Sequence, residues 1–193
     1  TDFKVAMIHV SSHWSYTIEK IQGQVLDAIE ELKLELELDG RADIGSTYEP
    51  GDVYKFFADL KEIISGVQRE IFIVDPYFDG TAFDQYLSTL PQNVQVRILA
   101  DRYSKDLQKY IAKHSEQFGS TTQLFKTDRI HDRVIFLDRS DCWIVGASVK
   151  DAGKKATYLI PLNPNLVAEK LRIYEEILSG SKKIAGNDGD GGT

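Results

Sequence analysis

Two short, mainly apolar segments constrain the fold of this chain most. The first spans residues 70–75, is apolar from Ile71 to Val74 and ends at Asp75-Pro76; the second spans Val94 to Ala100 and includes Gln95 and Arg97. Segments of this length and apolarity are typical of buried strands. Segments in which apolar residues recur every three or four positions lie before, between and after them, and this spacing predicts helices. The sequence therefore predicts strands covered by helices.

The rest of the chain continues this alternation. Helical spacing covers 53–67, 81–90, 104–118 and 164–178, and closely spaced strand candidates occupy 122–126, 133–137, 142–145 and 157–161. Helices and strands in this order predict an α/β fold with a mixed β-sheet flanked by helices. Residues 40–51 are rich in Gly, Asp and Ser and predict a loop.

A long amphipathic helix is predicted near the N-terminus, over about residues 12–38. Its apolar stripe is formed by Trp14, Ile18, Ile21, Val25, Ile29, Leu32 and Leu36. Spacings of three and four place these side chains on one face. Such a helix either packs on its own domain or pairs with a second copy, and its length leaves an oligomer open.

Length and composition predict one soluble globular domain over residues 1–182. The chain has 193 residues, of which 42% are hydrophobic and 27% charged. Residues 183–193 are dominated by Gly and Asp and predict a disordered tail. No apolar run approaches the ~18 residues of a membrane span, and no leader sequence is visible, which predicts a cytoplasmic protein. Because the chain begins at Thr1 rather than Met, we expect either processing or a fragment of a longer protein that lacks an N-terminal domain.

Charge and metal-ligand spacing narrow the possible ligands. The formal net charge of −7 argues against indiscriminate nucleic-acid binding, but segment 126–155 carries +2 and leaves −9 for the remainder. A small anionic group would be attracted to that segment. His9, His13 and His114 share no ligand spacing with Cys or carboxylates, so neither a metal nor a cofactor is predicted. Cys142 is the single cysteine and is predicted to be a buried, reduced thiol.

The chemistry is predicted to lie on the strand that follows residue 130. Alternate residues of a strand share a face, so His131 and Arg133 would point toward one ligand while Val134 and Phe136 enter the core. An imidazole can attack phosphorus or shuttle a proton if cations meet the charge on the phosphoryl oxygens. Asp138 would lie at the strand end and either orient a histidine or pair with a base.

A small-residue turn follows the next strand and predicts further phosphate contacts. Gly146 would let the backbone approach a phosphate, Ser148 would offer a hydroxyl, and Lys150 a cation. The segment Asp75-Pro76-Tyr77-Phe78 either lines the same site or forms a plain strand-to-helix turn.

The stretch from His131 to Asp138 resembles the HKD motif of the phospholipase D superfamily, H-x-K-x4-D, with Arg133 in the lysine position. The resemblance covers approximately residues 70–162. It implies that His131 is the catalytic histidine, with Arg133 and Asp138 completing the motif and Gly146 matching the glycine of the turn. Ala147 and Val149 stand where serine and asparagine are expected.

The resemblance implies a metal-independent phosphodiesterase, such as a nuclease, that forms a phosphohistidine. Relatives use two histidines, and this chain has one motif, so activity implies a homodimer. The alternative is a degenerate domain that binds phosphate-bearing ligands, namely phosphoinositide or nucleic acid, or an oligomerisation module of a larger protein. The arginine favours this alternative, because guanidinium binds phosphate bidentately whereas ammonium is a mobile point charge.

Overall fold

The computed structural model describes residues 18, 20–29, 31–32, 45–119 and 121–186. The chain divides into two compact units, Thr1–Ile44 and Gly45–Thr193, where the sequence predicts one domain over 1–182. In the first unit, residues 18, 20–29 and 31–32 are helical. The remainder of the helix predicted over 12–38, including Trp14 and Leu36, lies outside the described residues.

The second unit contains eight strands and four helices among its described residues. In chain order they are β1 (Ser46–Tyr48), α1 (Val53–Ser65), β2 (Glu70–Val74), α2 (Gly80–Tyr86), β3 (Gln95–Ala100), α3 (Ser104–Phe118), β4 (Thr122–Lys126), β5 (Val134–Leu137), β6 (Asp141–Val145), a 3₁₀ turn (Val149–Asp151), β7 (Thr157–Pro161), α4 (Pro164–Ser179) and β8 (Lys182–Ala185). All strands form one sheet in the order β1-β7-β6-β5-β2-β3-β4-β8.

The sheet is mixed, as predicted. β2, β3 and β4 run parallel, and β5 pairs antiparallel with β2 through the register Val74↔Val134. β5, β6 and β7 form an antiparallel meander, to which β1 adds antiparallel at one edge. The continuous apolar run of β2 is explained by its position, because it is buried on both faces between β5 and β3.

Apolar cores cover both faces of the sheet. One contains residues of α1, α2 and α3 together with Ile135 and Leu137 of β5, and the other contains residues of α4 together with Val134 and Phe136. The sequence predicts that one face of β5 carries chemistry. That expectation is wrong, because all four residues of β5 are buried and alternate between the two cores.

Two strands form where the sequence predicts none. β1 lies within the predicted loop 40–51, and its Tyr48 is buried against Phe56 with ring centroids 5.0 Å apart. β8 includes the first residues of the predicted disordered tail and pairs with β4, while residues 187–193 lie outside the described residues. Ile184 and Ala185 pack against the core, which explains why this short segment is ordered.

Candidate functional site

His131, Asp132 and Arg133 immediately precede β5. Because β5 runs antiparallel to β2 and β6, its first residues lie beside the last residues of those two strands. The loop that starts at Asp75 and the turn that starts at Gly146 therefore lie next to His131 and Arg133. All of them are at the side of the sheet where β2 and β6 end and β5 begins, and we refer to this side as the sheet edge. Side chains near the carboxyl ends of parallel strands are also where open α/β sheets bind ligands.

The guanidinium of Arg133 has no polar partner among the described residues. Its Cζ atom lies 5.5 Å from the ring centroid of Tyr77, and its Nε is buried without a hydrogen-bond partner. Within the described part of the chain, the guanidinium forms no hydrogen bond and no ion pair. A buried donor without a partner costs about 1–3 kcal/mol, so an anion that accepts from this guanidinium would bind with that penalty removed.

Asp75 is the buried centre of this edge, with none of its surface exposed. Its carboxylate accepts hydrogen bonds from the Tyr77 amide at 2.8 Å, the Ser148 hydroxyl at 2.8 Å and the Val149 amide at 2.9 Å. Burial raises the pKa of Asp75, and these hydrogen bonds and the charge of Arg133 oppose the rise. Asp75 thus ties the loop after β2 to the turn after β6.

Asp132 anchors the segment between His131 and Arg133 to α4. Its Oδ2 accepts a hydrogen bond from the Tyr174 hydroxyl at 2.6 Å and another from Lys170 Nζ. The hydrogen bond from Lys170, followed by that from Tyr174, lowers the pKa of Asp132 and keeps it charged. Asp132 therefore faces α4, while Arg133 faces Tyr77 on the other side of the segment.

His131 is exposed, and among the described residues it takes part in no hydrogen bond or ion pair. Its imidazole is therefore free to meet a ligand at the sheet edge. His131 and Arg133 lie together in the segment before β5, whereas the sequence predicts them within the strand.

Two of the groups that are predicted to contact phosphate from this turn already donate hydrogen bonds to other parts of the protein. The Gly146 amide donates to the Tyr158 carbonyl at 3.0 Å, and the Ser148 hydroxyl donates to Asp75. Neither group has a proton left to offer a phosphate. Gly146 is instead required for space, because a Cβ there would lie 2.7 Å from Tyr158 Cε1 and 3.0 Å from Thr157 Oγ1.

Lys150 remains a cation of the site. Its Nζ lies 4.2 Å from the ring centroid of Tyr103 and 3.4 Å from Asp151 Oδ2. Burial lowers the pKa of Lys150, but hydrogen bonds to Tyr103 and Asp151 outweigh this effect and the net shift is upward. The lysine is therefore held in its charged form next to an aromatic ring.

Asp138 lies at the opposite end of β5, and the structure does not bring it together with His131. Its carboxylate accepts hydrogen bonds from the amides of Gln68, Arg69 and Glu70, at 3.0, 2.7 and 3.0 Å. Desolvation opposes ionisation, yet these hydrogen bonds leave the pKa of Asp138 lowered. The Asp138 carboxylate therefore joins the end of β5 to the start of β2. This geometry gives no support to the predicted role of Asp138 in orienting a histidine.

Three residues that the motif does not name belong to this edge. Tyr77 and Tyr103 each contact a cation of the site, and the buried Thr157 Oγ1 next to Gly146 has no hydrogen-bond partner. The sequence signal for Tyr77 is its place directly after Asp75-Pro76, at the end of a buried strand. No local pattern marks Thr157, which reaches the site through the pairing of β7 with β6.

Two further searches of the described ranges gave negative results. Over residues 18–32 and 45–186, apart from the few undescribed positions, no three His, Cys, Asp or Glu side chains are grouped so that they could hold a metal ion. Nor does that part of the chain contain a helix with the length and apolarity that spanning a membrane requires.

Sequence comparisons give no family, since no protein-family model and no curated protein sequence matches the chain. Structure comparisons do match. NucT from Helicobacter pylori is 11% identical, with a TM-score of 0.59, and the match covers 72% of this chain and 98% of NucT. Nuc from Salmonella typhimurium, a phospholipase D family member, is 18% identical with a TM-score of 0.55, and the match covers 67% of this chain and 90% of Nuc.

A third match is TrmBL2, an archaeal chromatin protein whose structure shows a novel mode of DNA binding. It is 14% identical with a TM-score of 0.53, and the match covers 90% of this chain and 68% of TrmBL2. At these identities the comparisons establish the architecture alone. The chain therefore shares its architecture, a mixed sheet with helices on both faces, with NucT and with the phospholipase D family member Nuc.

Proposed function

We propose that this protein is a metal-independent phosphodiesterase of the phospholipase D type, with His131 as nucleophile and nucleic acid as its substrate. The observation that carries the proposal is the arrangement of His131 and Arg133 at one open edge of the sheet. The imidazole is exposed, and the guanidinium beside it has no carboxylate partner among the described residues. This is the arrangement that an anionic, electrophilic phosphorus requires.

The first step is the attack of an imidazole nitrogen of His131 on phosphorus. An N–P bond forms, the P–O bond to the leaving group breaks, and the departing oxygen takes a proton from a second acid. In the second step water attacks phosphorus, the N–P bond breaks, and the proton lost by water returns to that base. The histidine is regenerated, and neither step consumes an oxidant or a cofactor.

Arg133 binds the non-bridging oxygens of the phosphate in both steps. Its guanidinium can donate two parallel hydrogen bonds, and its Cζ lies 5.5 Å from the ring centroid of Tyr77. Charge on these oxygens rises when phosphorus becomes five-coordinate, so a fixed cation stabilises the transition state more than the ground state.

The second acid comes from another copy of the chain in this proposal. The chain has one H-x-R-x4-D sequence, so a second His131 in reach of the leaving group requires a homodimer whose two sites meet at a two-fold axis. Mixing tests this directly: wild-type chains are exchanged with increasing amounts of His131→Ala chains. Activity that falls with the square of the wild-type fraction supports a shared site, and a linear fall contradicts it.

The experiment for the activity itself measures cleavage of a labelled single-stranded oligonucleotide in excess EDTA. We expect His131→Ala to abolish cleavage, and intact-mass analysis of a quenched reaction to detect one phosphoryl adduct in the wild type. His114→Gln is the matched control, because His114 lies in α3 and contacts the carbonyl of Ser88, which follows α2. Equal cleavage by wild type and His131→Ala would refute the proposal.

A second candidate function is phosphate-ligand binding without turnover, and DNA is its first test ligand. Two observations favour it: arginine replaces the family lysine, and Val149, in place of the family asparagine, is buried with its amide bound to Asp75. The match to TrmBL2, a DNA-binding chromatin protein, is compatible with it. Binding that is lost in Arg133→Gln, together with no cleavage by wild type, would establish this function in place of the first.

A further inference from the structure

Two cations at the site are each paired with a half-exposed tyrosine. Arg133 lies over Tyr77 and Lys150 lies over Tyr103, with cation-to-centroid distances of 5.5 and 4.2 Å. The rings of Tyr77 and Tyr103 are 36% and 41% exposed, so both can accept a flat ligand group. The first pair belongs to the phosphate position beside His131, and the second has no role in the proposed reaction.

Hydrogen bonds from backbone amides connect the segments that carry the second pair to the segment that carries Asp75, Pro76 and Tyr77. The Pro76 carbonyl accepts hydrogen bonds from the amides of Asp101 and Arg102, at 3.3 and 2.9 Å, which joins the segment carrying Tyr103 to the loop after β2. On the other side, the Val149 amide binds the Asp75 carboxylate, which positions the adjacent Lys150. Tyr103 and Lys150 thus lie next to the phosphate position on a rigid support.

The chemistry of this second pair suits one nucleotide. An exposed tyrosine ring stacks on a nucleobase, and an ammonium group next to it can meet the adjoining backbone phosphate. Lys150 is only partly neutralised, because Asp151 is shared with Lys154 at 2.8 Å. Arg102, which precedes Tyr103 in the chain, is well exposed but forms an ion pair with Asp101, with 3.4 Å between Nε and Oδ2, so Lys150 is the cation that this argument uses.

The same features exclude an extended duplex as the preferred ligand. Bases in a duplex are stacked on each other and offer no free face to a tyrosine. Tracking a duplex also requires many cations, whereas this chain carries a net charge of −7. A single strand needs only one stacked base and two local cations.

We infer that Tyr103 and Lys150 form a subsite for the nucleotide that flanks the scissile phosphate, so that the site selects single-stranded nucleic acid. This inference rests on the proposed function, because it takes the phosphate position to be Arg133. The subsite acts through stacking on Tyr103 and charge on Lys150, and therefore gives affinity that a free phosphate cannot obtain.

The test compares the binding of two probes in EDTA: a fluorescent single-stranded octanucleotide and inorganic phosphate. Tyr103→Leu removes the ring and Tyr103→Phe keeps it, and Phe118→Leu removes a half-exposed ring at the far end of α3 as the matched control. We expect Tyr103→Leu to weaken octanucleotide binding by about 5- to 100-fold, and the other two variants to change it less than about twofold. Phosphate binding should not change in any of the three.

Lys150 is tested through salt dependence. In Lys150→Gln, the slope of log K against log salt for the octanucleotide should become shallower by about 0.7, the value for one phosphate contact on a single strand. Lys113→Gln, an exposed lysine near the far end of α3, should leave the slope unchanged.

The outcomes separate the subsite from the proposed function. If Tyr103→Leu binds the octanucleotide as wild type does while Arg133→Gln loses both probes, the subsite is refuted and the phosphate position stands. If Arg133→Gln still binds both the octanucleotide and phosphate, the proposed function itself is refuted, and the subsite inference with it. Wild-type binding that is tighter to the duplex form, or to vesicles containing phosphoinositide, than to the octanucleotide would also refute the single-strand assignment.

Discussion

The Ser148 hydroxyl donates a hydrogen bond of 2.8 Å to the Asp75 carboxylate, and both side chains are buried. The two residues lie 73 positions apart in the chain, at the ends of β2 and β6. This bond converts the serine of the turn from a predicted phosphate ligand into a support for the site, because its single proton is already donated.

We expect Ser148→Ala to lower the free energy of unfolding at pH 7 by about 1–3 kcal/mol, since it leaves one oxygen of a buried carboxylate with fewer donors. Urea denaturation measures the change. Ser140→Ala is the control, because Ser140 is exposed and its hydroxyl donates to the neighbouring, exposed Asp141. Equal stability of Ser148→Ala and wild type would mean that Asp75 does not depend on this donor.

Asp138→Asn should lower the free energy of unfolding by about 1 kcal/mol at pH 7, because the amide keeps one uncharged acceptor oxygen for the Arg69 and Glu70 amides and places an NH2 donor opposite the Gln68 amide. The native pKa of Asp138 is below its ordinary 3.8. Its stabilisation is therefore fully present above pH 3.8 and is lost as the pH falls through the native pKa.

The difference between wild type and Asp138→Asn should accordingly shrink below about pH 4, as measured by urea denaturation at a series of pH values. Asp128→Asn, an exposed carboxylate, serves as control. Cleavage activity per folded molecule should be unchanged in Asp138→Asn, and a specific loss of activity would restore Asp138 to the catalytic set.

Gly153→Ala should destabilise the domain more than a positive φ alone explains. Gly153 has a φ of +77°, and a Cβ there would lie 2.6 Å from the backbone Cα of Val53. The comparison is Gly119→Ala, where φ is +65° and the surroundings are open. We expect about 1 kcal/mol for Gly119→Ala and about 1–3 kcal/mol more for Gly153→Ala, measured by thermal or urea unfolding. Equal losses of unfolding free energy in the two variants would show that the backbone around Gly153 shifts at little cost to make room for the added Cβ.

Cys142 should react with a thiol reagent such as DTNB only when the domain unfolds. The side chain is buried, and burial raises its pKa to about 12, so little thiolate is present at pH 8. Since the chain has one cysteine, the whole colour change reports this residue. Rapid reaction of the native protein would contradict the burial of β6 against α4.

Periodicity was sufficient to predict most of the architecture, for a physical reason. β2 and β3 are buried on both faces and α3 on one, so their apolar patterns are dictated by local surroundings. β1 and β8 are edge strands of three and four residues, and they exist because β7 and β4 offer them partners. Pairing of that kind leaves little pattern in a short segment.

The candidate site was predictable in part. His131 and Arg133 are two positions apart, so the chain itself keeps them within one short segment. Asp75, Ser148 and Tyr103 meet them only through the order of strands in the sheet, which spacing along the chain does not reveal. The role of Asp138 was misjudged for the same reason, because the amides that it binds belong to β2 and the residues before it.

The pairing of Ser46 with Leu159 has a consequence for biosynthesis. During synthesis, β1 leaves the ribosome before β7 has been made. Until β7 appears, the amides of β1 are hydrogen-bonded to water or the strand is bound by a chaperone. Closing so long a loop is entropically expensive, which delays this contact during folding. A nascent chain halted before β7 would thus carry an unpaired β1, and Gly146 would lack its hydrogen bond to Tyr158.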